Sequence, residues 1–344
     1  MVFVSDDWFV LLLKYGIWTV VLGALFLAYY FIARHFKILD YPNTRSSHQQ
    51  PTIIGGGILF PATVLLWFAF YDQQHVWLIA GLLLISAISF LDDITGIKAG
   101  IRVYVHFVAA GLLLISSGVF EMQWYWVITA WLLVVGYVNA GNFMDGINGM
   151  TAFYHLGTLA SFLFLNHAGE LLPAITPPDS GGNIASFFPG TLIGLLFISM
   201  IIFAVFNGRR HALVFAGDVG SISISFIVAW LLIHLMLGTA NFYWILFIAT
   251  YAIDTIYTII VRLRKKKNPL EAHRLHLHHL LVDRRKHSHL IVSLAYALVQ
   301  LLVNVLTIWL ILTGSMRFAI FLVFVMVLVG GYAYARHGAI ACRR

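Results

Sequence analysis

Residues 8–33 read WFVLLLKYGIWTVVLGALFLAYYFIA, a run whose only charged side chain is Lys14. A helix needs about 20 largely apolar residues to cross the hydrocarbon core of a bilayer. The run is longer than the apolar region of a signal peptide, and it follows Asp6 and Asp7 rather than basic residues. It therefore predicts a retained membrane-spanning helix.

The remainder of the chain has the same character. Of its 344 residues, 61% are hydrophobic and 10% are charged, whereas soluble domains are about 45–50% apolar and about 25% charged. The sequence therefore predicts an all-α, polytopic membrane bundle that forms a single transmembrane domain over residues 1–344. The rule for span length places eleven spans, at 8–33, 54–71, 76–91, 102–118, 124–140, 150–166, 188–206, 219–237, 242–261, 290–313 and 316–335.

Cationic residues predict the orientation, because Lys and Arg accumulate in cytoplasmic loops. With the N-terminus outside and the C-terminus cytoplasmic, nineteen of the 21 Lys and Arg residues lie on the inner side, and Lys14 and Arg317 do not. The net charge of +7 then belongs to loops facing anionic lipid headgroups and does not indicate nucleic-acid binding. The single cysteine excludes a disulfide framework. The predicted inner loops lie at about 34–53, 92–101, 140–149, 207–218 and 262–289.

Four carboxylates occupy the inner ends of predicted spans: Asp92, Asp93, Asp145 and Asp218. One alternative is helix capping, in which Asp accepts the free N–H groups at a helix start. Carboxylates at this depth are costly, however, and are functional candidates by default. Four of them on one face favour a site. Their hard oxygens suit Mg²⁺, with Mn²⁺ as an alternative, so we predict Asp218, Asp92 and Asp145 as metal ligands.

Two further inner segments are candidates for binding phosphate. The histidine segment, residues 271–289, reads EAHRLHLHHLLVDRRKHSH. Imidazoles can form a transition-metal site, but the Lys and Arg residues around them repel a cation, so we favour phosphate. The segment 40–57 reads DYPNTRSSHQQPTIIGGG, in which Arg45, His48 and the glycines predict a phosphate cradle. Close helix packing is the alternative use of the glycines.

Five segments, in this order, resemble the polyprenyl-phosphate N-acetylhexosamine-1-phosphate transferase superfamily, glycosyltransferase family 4. They are DYPNTRSSHQQPTIIGGG (40–57), LDDITGIKAGIR (91–102), NAGNFMDGINGM (139–150), FAGDVGS (215–221) and HRLHLHH (273–279). The last is similar to the WecA-like branch, whereas the phospho-MurNAc-pentapeptide translocase branch shows three consecutive histidines. The family's DGxDG motif here ends in Asn148 and Gly149, so an amide replaces its second carboxylate. A different sugar preference is one interpretation of this change.

The resemblance implies transfer of a sugar 1-phosphate from a UDP-sugar to undecaprenyl phosphate, with release of UMP. It places the site at the cytoplasmic face of a bacterial inner membrane and implies a product that initiates O-antigen, capsule or another envelope glycan. Mg²⁺ is the implied cofactor. Asp92, Asp93 and Asp218 would be catalytic, one of the first two orienting or deprotonating the acceptor. The implied substrate-binding residues are Arg45, His48, Lys98, Arg102, Asn142, Asp145, Asn148, Arg274, His276, His278 and His279.

Elementary chemistry agrees with this assignment. A phosphate monoester has a second pKa of about 6, so the acceptor is largely dianionic and scarcely needs a base. The obstacle is the approach of two polyanions, which cations and positioning overcome. A mechanism through a covalent aspartyl-phosphate intermediate is also compatible with the sequence.

The alternative function is a secondary transporter with a cytoplasmic metal-binding histidine loop, which predicts charges at mid-span depth. Only Asp254 has such a position, and pairing with Arg262 is its structural explanation.

Overall fold

The computed structural model describes residues 5–42, 50–171, 189–268 and 273–341. Helices account for nearly all regular structure in these ranges. The helices are α1 (Ser5–His35), α2 (Leu59–Tyr71), α3 (Val76–Thr95), α4 (Ala99–Ser116), α5 (Trp124–Met144), α6 (Met150–Leu171), α7 (Gly190–Asn207), α8 (Gly217–Gly238), α9 (Ala249–Arg264), α10 (Leu277–Asp283), α11 (His289–Leu312) and α12 (Phe318–Ala341). Two short strands, β1 (Leu39–Asp40) and β2 (Thr52–Ile53), pair antiparallel.

Length and composition confirm a polytopic all-α membrane protein. Within the described residues, nine helical segments are long and apolar enough to cross a membrane. Each of the eleven apolar segments predicted from the sequence coincides with a helix. The segment 54–71 forms a 3-10 turn followed by α2, which is shorter than the other spans. The segment 242–261 begins as the 3-10 helix Phe242–Ile248 and continues directly into α9.

Contacts between helix termini define two ends of the bundle. At one end, Lys14 near the start of α1 donates to Thr191 at the start of α7 (3.2 Å). At the other end, Asn142 in the last turn of α5 donates to Asp218 in the first turn of α8 (2.6 Å). We call the end containing Asp218 the polar end, because the predicted carboxylates and the histidine segment both lie there.

Helix α8 is the centre of the bundle. It is almost entirely buried, and it packs against α2, α3 and α5. A Cβ atom on Gly220 would lie 2.6 Å from the Cα atom of Gly57, so only glycine permits this approach. The glycines of the 40–57 segment that the structure describes therefore serve helix packing, the alternative considered above.

The structure differs from the predicted loop boundaries at the polar end. Helix α3 continues to Thr95, so Asp92 and Asp93 lie in its last turn rather than in a loop. Helix α5 likewise continues to Met144 and includes Asn142. The reason is local: polar side chains at these ends bond to neighbouring helices instead of interrupting their own. Hydropathy alone ends a span too early in such places.

Candidate active site

Asp93 caps the central helix. Helix α8 starts at Gly217, whose φ of +72° suits glycine. The first N–H groups that follow, those of Asp218 and Val219, donate to the two oxygens of Asp93 at 2.8 and 3.1 Å. A carboxylate here satisfies free donors and opposes the positive end of the helix dipole. Asp93 therefore caps α8, and its catalytic role stays a prediction.

Asp92 and Asp218 form a carboxylate pair that is bridged by one cation. Arg102 Nη1, from α4, donates to Asp92 Oδ2 and also to Asp218 Oδ2, the latter at 2.9 Å. The second oxygen of each carboxylate has a different partner. Asp92 Oδ1 accepts from the Ile97 N–H (2.5 Å), and Asp218 Oδ1 accepts from Asn142 Nδ2 (2.6 Å). Four helices thus bring these predicted site residues together.

The end of α5 joins the carboxylate pair to the histidine segment. Asn142 contacts Asp218, whereas the next residue, Phe143, packs its ring 6.0 Å from that of His276. A Cβ atom on Gly146 would lie 2.6 Å from His279 Nε2 and 2.9 Å from His278 Nε2. The carboxylate pair and the histidine segment are therefore neighbours across a few residues of the 139–150 segment.

A buried carboxylate positions the histidine segment. Asp254, fully buried in α9, accepts hydrogen bonds from His276 Nδ1 (2.9 Å) and from the Leu277 N–H (3.2 Å). Tyr296 and Tyr332 donate their hydroxyl groups to the same carboxylate at 2.6 and 2.9 Å. The sequence predicted Arg262 as the structural partner of Asp254, but the observed partners belong to α11, α12 and the histidine segment, and Arg262 donates to the Asn268 carbonyl.

The charge state of His278 and His279 follows from their burial. Burial lowers the pKa of His278 and His279, and the neighbouring His278 adds to the effect on His279. Both rings are therefore neutral at pH 7. The Nε2 atoms of His276 and His278 and the Nδ1 atom of His279 are buried without a partner in the described residues.

Arg274 and Lys98 occupy different settings. Arg274 makes two bonds of 2.8 Å to Asp283, bracing α10 against the segment before it. Lys98 is exposed immediately before α4. Arg45 and His48 lie outside the described residues.

The side-chain amide of Asn148 binds backbone carbonyl groups. Its Nδ2 donates to the carbonyls of Arg209 (2.9 Å) and Arg210 (3.2 Å), which belong to the loop before α8. Ser293 of α11 donates to the Asn148 carbonyl at 2.8 Å. An aspartate side chain has no N–H donor, so it could not donate to the carbonyls of Arg209 and Arg210. The amide at this position therefore has a structural use in this chain.

Asp145 has a hydrogen-bond partner outside the carboxylate pair. It follows α5 directly, and Thr151 donates to its Oδ1 at 2.5 Å. Burial raises the pKa of Asp145 to about 6, although the Thr151 hydroxyl opposes that shift. The expected third metal ligand thus has its own partner, at the start of α6.

Comparison with known proteins identifies the family. Residues 75–236 match the model described as "Glycosyl transferase family 4". An undecaprenyl-phosphate alpha-N-acetylglucosaminyl 1-phosphate transferase of Yersinia pestis is 31% identical over 313 residues, covering 80% of each chain. This chain belongs to glycosyl transferase family 4. This chain is also 27% identical to the undecaprenyl-phosphate alpha-N-acetylglucosaminyl 1-phosphate transferase of Escherichia coli (strain K12), over 73% of this chain and 71% of the relative. A decaprenyl-phosphate N-acetylglucosaminephosphotransferase of Mycolicibacterium smegmatis is 27% identical over 75% of this chain and 71% of the relative.

The carboxylates of this family 4 transferase suit a magnesium ion that waters and substrate phosphates also hold. Within the described ranges, no group of three or more His, Cys, Asp or Glu side chains is arranged to hold a metal ion. Mg²⁺, however, is usually bound through one or two carboxylates, with waters and substrate phosphates completing its shell. The convergence of Asp92 and Asp218 on a single cationic nitrogen meets that requirement.

Sequence reasoning missed the residues that hold the histidine segment. Tyr332 and Arg336 lie one turn apart on α12, and Arg336 Nη1 donates to the Leu275 carbonyl (2.6 Å) and to the Tyr332 hydroxyl (3.1 Å). Their spacing of four residues is a signal for a shared helix face. We had counted Arg336 as a loop residue, because hydropathy ended the last span at residue 335.

Proposed function

We propose that this transferase moves a sugar 1-phosphate from a UDP-sugar to a polyprenyl phosphate, undecaprenyl phosphate in particular, and releases UMP. The names of its relatives support the acceptor class. The observation that carries the proposal is the bridged pair of Asp92 and Asp218, which the end of α5 joins to the unpartnered histidine nitrogens. A site for two phosphate-bearing substrates needs oxygen ligands for a cation beside hydrogen-bonding groups for phosphate.

The acceptor phosphate attacks the β-phosphorus of the donor, the bond to the UMP oxygen breaks, and UMP leaves. Asp92 and Asp218 would hold Mg²⁺, which when bound neutralises the diphosphate and stabilises the departing UMP. Arg102 contributes a guanidinium that matches phosphate geometry. The buried nitrogens of His278 and His279 supply oriented hydrogen bonds. Asp93 contributes indirectly, because it fixes the first turn of α8 and hence Asp218.

The donor sugar is an N-acetylhexosamine or a deoxy amino sugar in this proposal. The product would initiate O-antigen, capsule or another envelope glycan. The site would face the cytoplasm from a bacterial inner membrane, with the N-terminus outside. Support for this side comes from the cationic residues, which are concentrated in the segments at the polar end.

A direct assay tests the proposal. Purified transferase is mixed with undecaprenyl phosphate, Mg²⁺ and one UDP-sugar at a time, and both UMP and the lipid diphosphate sugar are quantified. We expect one or a few amino sugars to give equal amounts of the two products. Release of UMP without a lipid product would indicate hydrolysis and contradict the proposal. No product from any donor, with a protein that remains folded, would also contradict it.

A further inference from the structure

Arg102 uses only part of its guanidinium. Its Nη1 contacts both carboxylates of the pair, but its buried Nε has no hydrogen-bond partner in the described residues. Arginine commonly binds a carboxylate or a phosphate through two parallel N–H···O bonds. The guanidinium of Arg102 therefore retains an unused N–H donor, which indicates an additional ligand.

The atoms that Arg102 contacts are those that a divalent cation requires. The Oδ1 atoms of Asp92 and Asp218 already accept from Ile97 and Asn142. Only the Oδ2 atoms converge, and Nη1 lies between them. Two cations at one place repel each other, and partial burial strengthens that repulsion relative to bulk water. The guanidinium and a divalent cation therefore compete for this position.

A diphosphate resolves the competition. Its paired oxygens can accept from both Nε and an Nη of the same guanidinium, which a bridging Nη1 cannot achieve with the two carboxylates. When the guanidinium moves to the diphosphate, the divalent cation takes its place between the carboxylates. Each negative group then has a positive partner both before and after the exchange.

We propose that Arg102 is an exchangeable counter-ion: it holds Asp92 and Asp218 together until the donor diphosphate draws it away and the divalent cation replaces it. This inference rests on the proposed function and adds a coupling to it. Diphosphate and cation each remove the obstacle to binding of the other, so their binding is mutually cooperative.

Binding measurements test the exchange without turnover. Free Mn²⁺ is measured by electron paramagnetic resonance during titration of the full-length protein, without nucleotide. Separately, UDP binding is measured by calorimetry in EDTA. Loss of a hydrogen bond between charged groups changes an affinity by about tenfold or more. We therefore expect both Arg102→Ala and Arg102→Gln to tighten Mn²⁺ binding about tenfold and to weaken UDP binding by a similar factor. A general loss of structure would weaken both.

Lys98→Ala is the matched control, because Lys98 is exposed and its replacement removes the same charge one turn earlier. If Lys98→Ala tightens Mn²⁺ binding as much as Arg102→Ala does, a general field effect replaces the exchange and the inference is wrong. Unchanged or weaker Mn²⁺ binding in both Arg102 variants overturns it as well. In that case, Mn²⁺ binding by the unmodified protein that disappears in Asp218→Asn leaves the proposed function intact. Absence of Mn²⁺ binding to every protein would overturn the metal site and the exchange together.

Discussion

Asp92 and Asp93 are adjacent in sequence, yet their carboxylates have different uses. Successive residues on a helix point about 100° apart, so only one of the two can face Arg102. Asp92 does so, whereas Asp93 turns to the N-terminus of α8 and accepts two backbone N–H groups. The paired motif thus combines a group that binds Arg102 with a group that fixes the position of Asp218.

Asp218→Asn tests the residue on which the mechanism depends most. An amide keeps the size of the side chain but removes the charge that the cation needs. We expect transfer to fall about a hundredfold or more, in the range seen when one preorganised electrostatic group is removed. UMP release measures the effect, EDTA should abolish the activity of the unmodified protein, and Mg²⁺ or Mn²⁺ should restore it.

Asp72→Asn is the matched control, since Asp72 lies at the opposite end, where it accepts from the Gln74 N–H. It should retain nearly full activity. A rate for Asp218→Asn that equals the rate of this control would remove Asp218 from the site.

Gly146→Ala tests the contact between α5 and the histidines. The added methyl would lie within 3 Å of ring atoms of both His278 and His279, so the rings must move. Hydrogen bonds to charged groups contribute about 1.5–3 kcal/mol, and misplacing one should slow transfer about tenfold or more. Rates and unfolding temperatures are compared with those of Gly136→Ala, which adds the same methyl to α5 where nothing lies within 4 Å. Equal rates in the two variants would contradict a role for this contact.

At the scale of elements, α12 is a peripheral span that also supports the histidine segment. Most of its surface is exposed, as expected of a peripheral span, yet Tyr332 and Arg336 reach the histidine segment. Arg336 is 4% exposed, and its guanidinium supports a carbonyl of the irregular segment before α10. The last span therefore stabilises the site from the periphery.

Arg336→Met tests this support. The substitution retains a long apolar stem but leaves the Leu275 carbonyl without its donor, and a lost buried hydrogen bond costs about 1–3 kcal/mol. We expect faster trypsin cleavage after Arg274 and slower transfer, because His276 is less well held. Gel analysis of cleavage and UMP release provide the two measurements.

Arg317→Met, an exposed substitution at the opposite end, controls for the change in charge. If Arg336→Met and Arg317→Met are cleaved at the same rate, α12 does not support the histidine segment.

The sequence predicts helices better than it predicts contacts, for a physical reason. Hydropathy is local, so each apolar segment could be placed on a helix to within a few residues. The meeting of Asp92, Asp218 and Arg102 was implied only by the resemblance and by their shared end of the bundle. The bond from Arg102 to Asp218 depends on packing between residues more than a hundred positions apart. Helix capping was an alternative for Asp93 in the sequence, but which helix it caps, and the support of Asp254 by α12, depend on packing that no local pattern indicates.

At the scale of the whole molecule, the orientation in the membrane is the prediction that places the site in a compartment. Alternating helix directions bring the inner segments predicted from the cationic residues to the polar end, together with Asp218 and the histidines.

Single cysteines at exposed positions can report the side of each end, after Cys342 is replaced by Ser. Arg210 and His287 represent the polar end, and Gln74 and Gln123 represent the opposite end. In intact cells, a membrane-impermeant maleimide should label Gln74→Cys and Gln123→Cys only. Arg210→Cys and His287→Cys should react only after the membrane is opened, since the Lys and Arg excess favours the cytoplasm. Retained transfer activity shows that each variant is folded. Labelling of both polar-end positions in intact cells would reverse the orientation and would move the site away from the cytoplasmic pool of UDP-sugars.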